Sequence, residues 1–182
     1  MNLNSKTWGM AMMAAGMALA SGLSTSASAA EPGVYAGLSV GKADGSGPAY
    51  QAGADPSLGV AMGYRLNEQL AVEGFARSLS FIRFPEIFGS PDAYQVPDRH
   101  VGLALEGTVP LSEAWGLYGR LGVGRTTMTG STTGRRLDTV TDATLGGGLR
   151  YGLGSGWAFK LGAERYGKSK VNAYYLAVQY QF

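Results

Sequence analysis

The sequence predicts an all-β fold: an eight-stranded antiparallel up-and-down transmembrane β-barrel, preceded by a signal peptide. Three observations predict this fold. An export signal opens the chain, apolar residues recur at every second position through the remainder, and the connections between the predicted strands alternate in length. The chain therefore divides into a cleaved signal peptide over residues 1–30 and a barrel domain over residues 31–182.

The export signal lies within the first thirty residues. Lys6 gives a basic start, the run from Trp8 to Ala20 is uncharged, and Ala27-Ser28-Ala29 has the small residues of a cleavage site. A membrane-anchoring helix is the alternative, but this run is shorter than the roughly 20 residues that such a helix needs. We expect cleavage between Ala29 and Glu31 and export from the cytoplasm.

A period of two dominates the chain after the export signal. In the first predicted strand, Val34, Ala36 and Leu38 alternate with the small or polar residues between them. Such alternation is typical of a strand with one apolar and one polar face. The eight predicted strands cover residues 34–41, 58–66, 70–79, 101–109, 117–123, 142–153, 157–166 and 175–182.

The connections between these strands alternate between tight turns and longer loops. We predict tight turns at 67–69, 111–114 and 154–156, and longer polar loops at roughly 43–56, 81–98 and 129–138; the last link, 167–170, is short. The three tight turns align as a weak internal repeat whose members begin at Leu66, Leu111 and Leu153. Short periplasmic turns and longer external loops are typical of outer-membrane barrels.

Aromatic residues of the apolar face collect beside the tight turns. Amphipathic rings favour the headgroup region of a bilayer, so these residues predict an aromatic girdle at one end of the barrel. Packing inside a soluble β-sandwich or a lipocalin-like periplasmic barrel is the alternative. The girdle comprises Tyr64, Trp115, Tyr151, Trp157, Tyr180 and Phe182.

The first and last strands carry a family resemblance. The segment from Val34 to Gly41, the inward Glu73 and the ending from Tyr174 to the terminal aromatic Phe182 resemble the OmpA-type small outer-membrane β-barrel family, which is porin-like, with the barrel domain only. The resemblance implies a location in the bacterial outer membrane. It also implies transient partners, namely the barrel assembly machinery, which reads such an ending, and periplasmic chaperones.

Charged residues of the inward face predict an ion-pair network in the lumen, because an unpaired charge in a narrow interior is costly. One interpretation is a structural plug that ties the strands together. The other is a small passive porin-like channel, in which basic residues would favour anions. The predicted network comprises Arg65, Glu73, Arg77, Glu106, Arg120, Arg150, Lys160 and Glu164.

The second external loop is unusually apolar, and an exposed apolar patch commonly marks an interaction. It either extends the third strand and folds over the barrel mouth, or contacts a host or cell-surface ligand, lipid or a partner protein. The interaction candidates are Phe81, Ile82, Phe84, Ile87 and Phe88.

Basic residues near the external rim could pair with lipopolysaccharide phosphates. The alternative is a solvated rim without a bound lipid. These residues are Arg83, Arg99, Arg125, Arg135, Arg136, Lys168 and Lys170.

No arrangement of residues predicts catalysis. His100 is the one histidine and no cysteine is present, so we expect no catalytic, cofactor-binding or metal-binding residue. The net charge of +2 comes without a basic stripe, so we expect no nucleic acid partner. The sequence favours an integral outer-membrane protein with a structural or surface-interaction role; a channel is the alternative, and a lipid-modifying enzyme is less favoured.

Overall fold

Eight antiparallel strands close into a barrel in the computed structural model, which describes residues 32–47, 50–80, 95–130 and 136–182. Each strand pairs with its neighbour in sequence, and the last pairs with the first. The signal peptide predicted at 1–30 lies outside the described residues. The strands are β1 (Gly33–Gly47), β2 (Tyr50–Arg65), β3 (Leu70–Ser78), β4 (Gln95–Pro110), β5 (Trp115–Gly130), β6 (Arg136–Gly152), β7 (Trp157–Tyr166) and β8 (Val171–Gln181).

This architecture confirms the predicted up-and-down barrel. Closure between β1 and β8 runs from the Gly45–Val171 pair to the Tyr35–Gln181 pair, so neither strand leaves an open edge. A sheet without edges pairs its backbone N–H and C=O groups within the protein, which hydrocarbon requires of any spanning structure. Within the described ranges, no helix has the length and apolar character needed to cross a membrane.

The two faces of each strand separate by polarity. β7 alternates strictly between exposed and buried residues along its whole length. Its outward face is apolar at Phe159 and Leu161, whereas its inward face buries Lys160 and Glu164. Outward apolar residues on the other strands include Leu38, Val60, Met62, Leu103, Leu121, Leu145 and Leu176.

The outward apolar surface has the height of a bilayer core. On β5 it runs from Trp115 to Val123 before the exposed Arg125. At about 3.3 Å per residue and a tilt of about 40°, this run rises roughly 20 Å, close to the about 25 Å band of outer-membrane barrels. The barrel surface therefore suits lipid over most of its height.

The same type of backbone hydrogen bond closes each of the three tight turns. The N–H groups of Leu66, Leu111 and Leu153 donate to the carbonyl oxygens of Leu70, Trp115 and Trp157, at 2.8, 2.8 and 2.9 Å. The internal repeat in the sequence is therefore a repeated turn. All three turns lie at the end of the barrel that carries Gly33 and Phe182, which is the periplasmic end by the rule that short turns face the periplasm.

The prediction of long external loops was wrong in part. Of the segment predicted as a loop at 43–56, residues 43–47 belong to β1 and residues 50–56 to β2, and the two strands pair as far as Gly47 and Tyr50 with a bulge after Ala43. β4, β5 and β6 also extend into the predicted loops. The physical reason is that strand ends above the bilayer need no apolar face, so pairing continues where the period-two pattern has stopped.

Inward glycines make room for large inward side chains. A Cβ added at Gly162 of β7 would overlap the hydroxyl of Tyr118, which reaches across from β5, and would meet the ring of Tyr175 at 3.0 Å. The Tyr118 hydroxyl donates to the Tyr175 hydroxyl over 3.1 Å, so neither ring can easily withdraw. Gly119 faces outward and an added Cβ would meet nothing within 4 Å.

We expect Gly162→Ala to lower the free energy of unfolding by about 1–3 kcal/mol, because the added methyl overpacks the lumen. Urea titration of the protein in phospholipid vesicles measures this loss. Gly119→Ala is the matched control and should change stability by less than about 0.5 kcal/mol. Equal effects of the two substitutions would contradict the packing of Tyr118 over Gly162.

Candidate functional site

The centre of the lumen holds a guanidinium between two carboxylates. Arg120 of β5 donates to Glu73 Oε1 of β3 from Nε at 3.1 Å and from Nη2 at 2.8 Å. Its Nη1 donates to Glu164 Oε1 of β7. β3 and β7 lie on opposite sides of the eight-stranded ring, so this one side chain ties together distant walls of the barrel.

Two tyrosines complete the bonding of these carboxylates. The hydroxyl of Tyr35 donates to Glu73 Oε2 at 3.0 Å, and the hydroxyl of Tyr166 donates to Glu164 Oε2 at 3.2 Å. All four oxygens of Glu73 and Glu164 thus accept a hydrogen bond. Arg120 also lies with its Cζ 3.8 Å from the centroid of the Phe75 ring. The cluster is desolvated and satisfied, which a buried ion pair requires.

A second ion pair lies nearer the periplasmic end. Lys160 Nζ of β7 is 2.6 Å from each carboxylate oxygen of Glu106 on β4. The same ammonium lies 4.8 Å from the ring centroid of Tyr118. The Tyr118 ring also links this pair to Tyr175, because the Tyr118 hydroxyl donates to the Tyr175 hydroxyl.

Arg77 occupies the external side of the central cluster. Its Nε lies 4.0 Å from Glu164 Oε2, its Nη2 donates to Ser39 Oγ at 3.4 Å, and its guanidinium covers the ring of Tyr175 at 4.0 Å. Ion pairs therefore include Glu73, Arg77, Glu106, Arg120, Lys160 and Glu164.

The remaining two residues of the predicted network are inward but unpaired with acids. Arg65 Nε donates to Gln181 Oε1 at 3.1 Å. Arg150 buries its Nε without a hydrogen-bond partner in the described part of the chain. Neither has a carboxylate within 4.0 Å among the described residues. The physical reason is that Lys160 engages both oxygens of Glu106.

Little open space remains between these groups. A cavity of about 40 Å³ lies between the central cluster and the Lys160–Glu106 pair. A water molecule needs about 10–15 Å³ of such volume, so this cavity has room for a few molecules at most. Side chains fill the lumen at this depth, as expected for a barrel of eight strands.

His100 belongs to the packed interior. It is the sixth residue of β4, fully buried, with its ring between Phe75 at 5.3 Å and Tyr166 at 4.9 Å. Its Nδ1 lies 2.9 Å from the hydroxyl of Thr126. The described contacts of this histidine are therefore those of a side chain packed in the lumen.

Asp142 holds the last external turn. It accepts hydrogen bonds from the backbone N–H groups of Lys168 and Ser169 at 2.6 and 2.9 Å, and from the Ser169 hydroxyl. A carboxylate that caps a turn in this way is engaged in structure. Among the described residues, no group of three or more His, Cys, Asp or Glu side chains could hold a metal ion.

The predicted girdle residues lie outward or at the strand ends beside the turns. Trp115 packs on Tyr151 and Trp157 on Tyr180, each with 4.8 Å between ring centroids. Tyr180 also meets Phe182 edge-on at 5.1 Å. Tyr64 is exposed at the end of β2. These rings surround the periplasmic end of the barrel.

The external end carries basic residues on its outward face. Arg99, Arg125, Lys168 and Lys170 are exposed, whereas Arg83 and Arg135 lie outside the described residues, as does the side chain of Arg136. Two basic residues that the sequence analysis missed, Lys42 and Arg165, share this exposed end; Lys42 lies 5.9 Å from the Tyr174 ring centroid. The apolar loop candidates Phe81, Ile82, Phe84, Ile87 and Phe88 also lie outside the described residues.

The sequence analysis missed the aromatic part of the lumen. Tyr35, Tyr118, Tyr166 and Tyr175 hydrogen-bond to the carboxylates or to each other, and Phe75 lies against Arg120. The period of two signals these positions, because each belongs to the inward phase of its strand. Their partners depend on strand register and shear, which alternation alone does not provide.

Comparison with known proteins agrees with this architecture. The outer membrane protein beta-barrel domain family matches residues 15–182. No curated protein sequence matches the chain. The structure is similar to Ail, the attachment invasion locus protein of Yersinia pestis, at 18% identity and a TM-score of 0.54, covering 83% of this chain and 97% of that chain.

Two further solved barrels share the fold. Neisserial surface protein A is 16% identical with a TM-score of 0.55, over 85% of this chain and 99% of that chain. The N-terminal β-barrel domain of Pseudomonas aeruginosa OprF is 12% identical with a TM-score of 0.58, over 84% of this chain and 100% of that chain. The resemblance to small outer-membrane barrels is confirmed, and the chain belongs to the outer membrane protein beta-barrel domain family, located in the bacterial outer membrane.

Proposed function

We propose that this protein is a structural or surface-interaction barrel whose lumen is closed by its ion-pair network. The Arg120 cluster carries this proposal, because it joins β3, β5 and β7 across the lumen and saturates both carboxylates. A cluster that fills the cross-section leaves no room for a hydrated solute beside it. Its role is to hold the walls of the barrel together from within.

Planar-bilayer recording separates a closed barrel from a small passive channel. We expect the purified protein to give no reproducible single-channel steps, because the lumen at the Arg120 cluster is filled by side chains. Arg120→Ala, which opens this level of the lumen, should give steps if it stays folded, and Arg125→Ala on the outer face should not. Steps in the unaltered protein that vanish or change with Arg120→Ala would instead support the channel.

The outer surface supports partnership with outer-membrane lipid. The rings beside the periplasmic turns form an aromatic girdle at one headgroup region. At the other end, Arg99, Arg125 and Arg165 present guanidinium groups that can bind lipopolysaccharide phosphates through charge-assisted hydrogen bonds. This basic rim gives the barrel a fixed orientation in an asymmetric membrane.

A surface ligand is the second partner in this proposal. Ail of Yersinia pestis was solved with the heparin analogue sucrose octasulfate, in a structure 19% identical to this chain with a TM-score of 0.51. The exposed Lys168 and Lys170 of the last external turn offer a basic surface to such a polyanion. Cells displaying the protein should bind a sulfated polysaccharide more weakly after both lysines are replaced by glutamine.

Delivery to the membrane completes the proposal. Cleavage of residues 1–30 would release the barrel into the periplasm, where chaperones and the barrel assembly machinery act as transient partners. The exposed Phe182, which meets the half-buried Tyr180 edge-on, lies at the barrel's periplasmic edge, which suits recognition by that machinery. A mature protein whose mass corresponds to a start at Ala30 or at Glu31 would support this route.

A further inference from the structure

We propose that the periplasmic mouth of the lumen is a binding site for an oxyanion, formed by Arg65, Arg150 and Thr108. The site lies below the Lys160–Glu106 pair and is distinct from the central Arg120 cluster. Its ligand is a phosphate or carboxylate group presented from the periplasm. Three independent features support the site: unbalanced charge, unpaired donors and convergent geometry.

Positive charge is unbalanced at this end of the lumen. Glu106 is the acid on the neighbouring wall, and Lys160 Nζ holds both of its oxygens at 2.6 Å. Arg65 and Arg150 therefore have no carboxylate within 4.0 Å among the residues described. Arg150 is repelled by Arg65 and attracted by Glu106, whose charge Lys160 already balances, so an anion between the two guanidinium groups would relieve their repulsion.

Buried donors at the same place have no partner. Arg150 Nε and Thr108 Oγ1 are buried, and the described part of the chain offers neither a hydrogen bond. Thr108 is 8% exposed, and Arg65 is 2% exposed. Leaving a buried polar group unsatisfied costs free energy, so such groups in one place call for a ligand that satisfies them.

The strand register places Thr108 and Arg150 beside each other. Gly116 of β5 pairs with Arg150 of β6, and a Cβ added at Gly116 would meet Thr108 Cγ2 at 3.0 Å. Thr108 and Arg150 therefore flank the same glycine on the inward side. Arg65 is held in place by its 3.1 Å hydrogen bond to Gln181 and by the Tyr35 ring, 5.6 Å from its Cζ.

The chemistry of these donors selects an oxyanion. A guanidinium offers forked N–H donors whose spacing matches two oxygens of a phosphate or carboxylate, and the threonine hydroxyl adds one more donor. A chloride ion presents one acceptor centre instead of two oxygens, so it matches the two parallel N–H groups of a guanidinium less well. The Lys160–Glu106 pair closes the inner end of the site, so the anion would enter from the periplasm.

Arginine side-chain NMR of the purified protein in detergent micelles tests the site. Inorganic phosphate and acetate are titrated separately at constant ionic strength, with chloride as the reference anion. We expect the Nε–H signals of Arg65 and Arg150 to shift saturably with at least one oxyanion, and those of Arg99 and Arg125 to stay unchanged. The two titrations also distinguish phosphate from carboxylate as the preferred group.

Single substitutions test whether the oxyanion binds at these residues. Arg150→Gln should weaken the affinity read from the Arg65 signal by about tenfold, since a charge-assisted hydrogen bond is lost. Arg125→Gln is the matched control and should leave this affinity unchanged. If Arg150→Gln does not fold, Thr108→Val provides the same readout with a smaller loss. Absence of a saturable shift, equal shifts at the rim arginines, or an equal response to chloride would overturn the proposal.

Discussion

Replacing Arg120 by methionine is expected to lower the free energy of unfolding by about 3–5 kcal/mol, the range found when one partner of a buried ion pair is removed. The substitution leaves Glu73 and Glu164 buried, with only their tyrosine donors and the 4.0 Å contact of Arg77. Methionine keeps most of the volume of the side chain, so the loss reports charge and not a cavity. Urea unfolding in phospholipid vesicles measures it.

Two further variants identify the cause of this loss. Arg125→Met changes the same residue type on the same strand, but Arg125 is exposed on the outer face, so stability should change by less than about 1 kcal/mol. Adding Glu73→Gln to Arg120→Met should recover part of the loss, because the carboxylate left without a guanidinium is removed while Glu164 keeps its 4.0 Å ion pair with Arg77. If the two single substitutions cost the same, Arg120 does not organise the lumen.

Leu121→Arg is expected to lower the free energy of unfolding by about 2–4 kcal/mol, the cost of an arginine at the bilayer midplane on the outside of a barrel. Leu121 is 57% exposed and lies between Trp115 of the girdle and Arg125 of the external rim. It adjoins Arg120 in sequence. On this strand, an arginine that points into the lumen should therefore stabilise the barrel, whereas an arginine at the next position, which points into lipid, should destabilise it. The same vesicle titration measures the cost.

The control is the same type of substitution at a different depth in the membrane. Leu111 is 61% exposed in a tight turn at the periplasmic end, where an arginine reaches headgroups and water. Leu111→Arg should therefore cost at most about 1 kcal/mol. Equal costs at Leu111 and Leu121 in vesicles would mean that Leu121 does not face hydrocarbon.

The period of two could predict the barrel because the bilayer imposes it on every strand. β7 was predicted at its observed bounds, and outward leucines such as Leu121 alternate with inward charges such as Arg120. The alternation of apolar and polar residues ends where the strands leave the bilayer. Strand ends in water carry no such constraint, so the paired extension of β1 and β2 around Gly47 could not be predicted from alternation.

The lumen could be predicted as a set of charges but not as a set of contacts. The period of two alone assigns Arg65, Arg120 and Arg150 to the inward face of the barrel and does not distinguish between them. Strand register then separates them, because it brings Arg120 between Glu73 and Glu164 and leaves Arg150 beside Gly116, with no carboxylate within 4.0 Å among the described residues. Register and shear are properties of the closed ring, and no single strand encodes them.

The central claim is that the outer face of the barrel is apolar and lies in lipid, while the interior is packed. The most direct test of this claim is the oxygen accessibility of nitroxide labels along β4. The sequence contains no cysteine, so each single cysteine introduced at Val101, Leu103, Leu105 or Ala104 carries a unique label. In vesicles, the labels at the three outward positions should relax strongly with oxygen and weakly with an aqueous nickel complex. The label at buried Ala104 should respond weakly to both. Greater oxygen accessibility at Ala104 than at Leu103 and Leu105 would contradict the account.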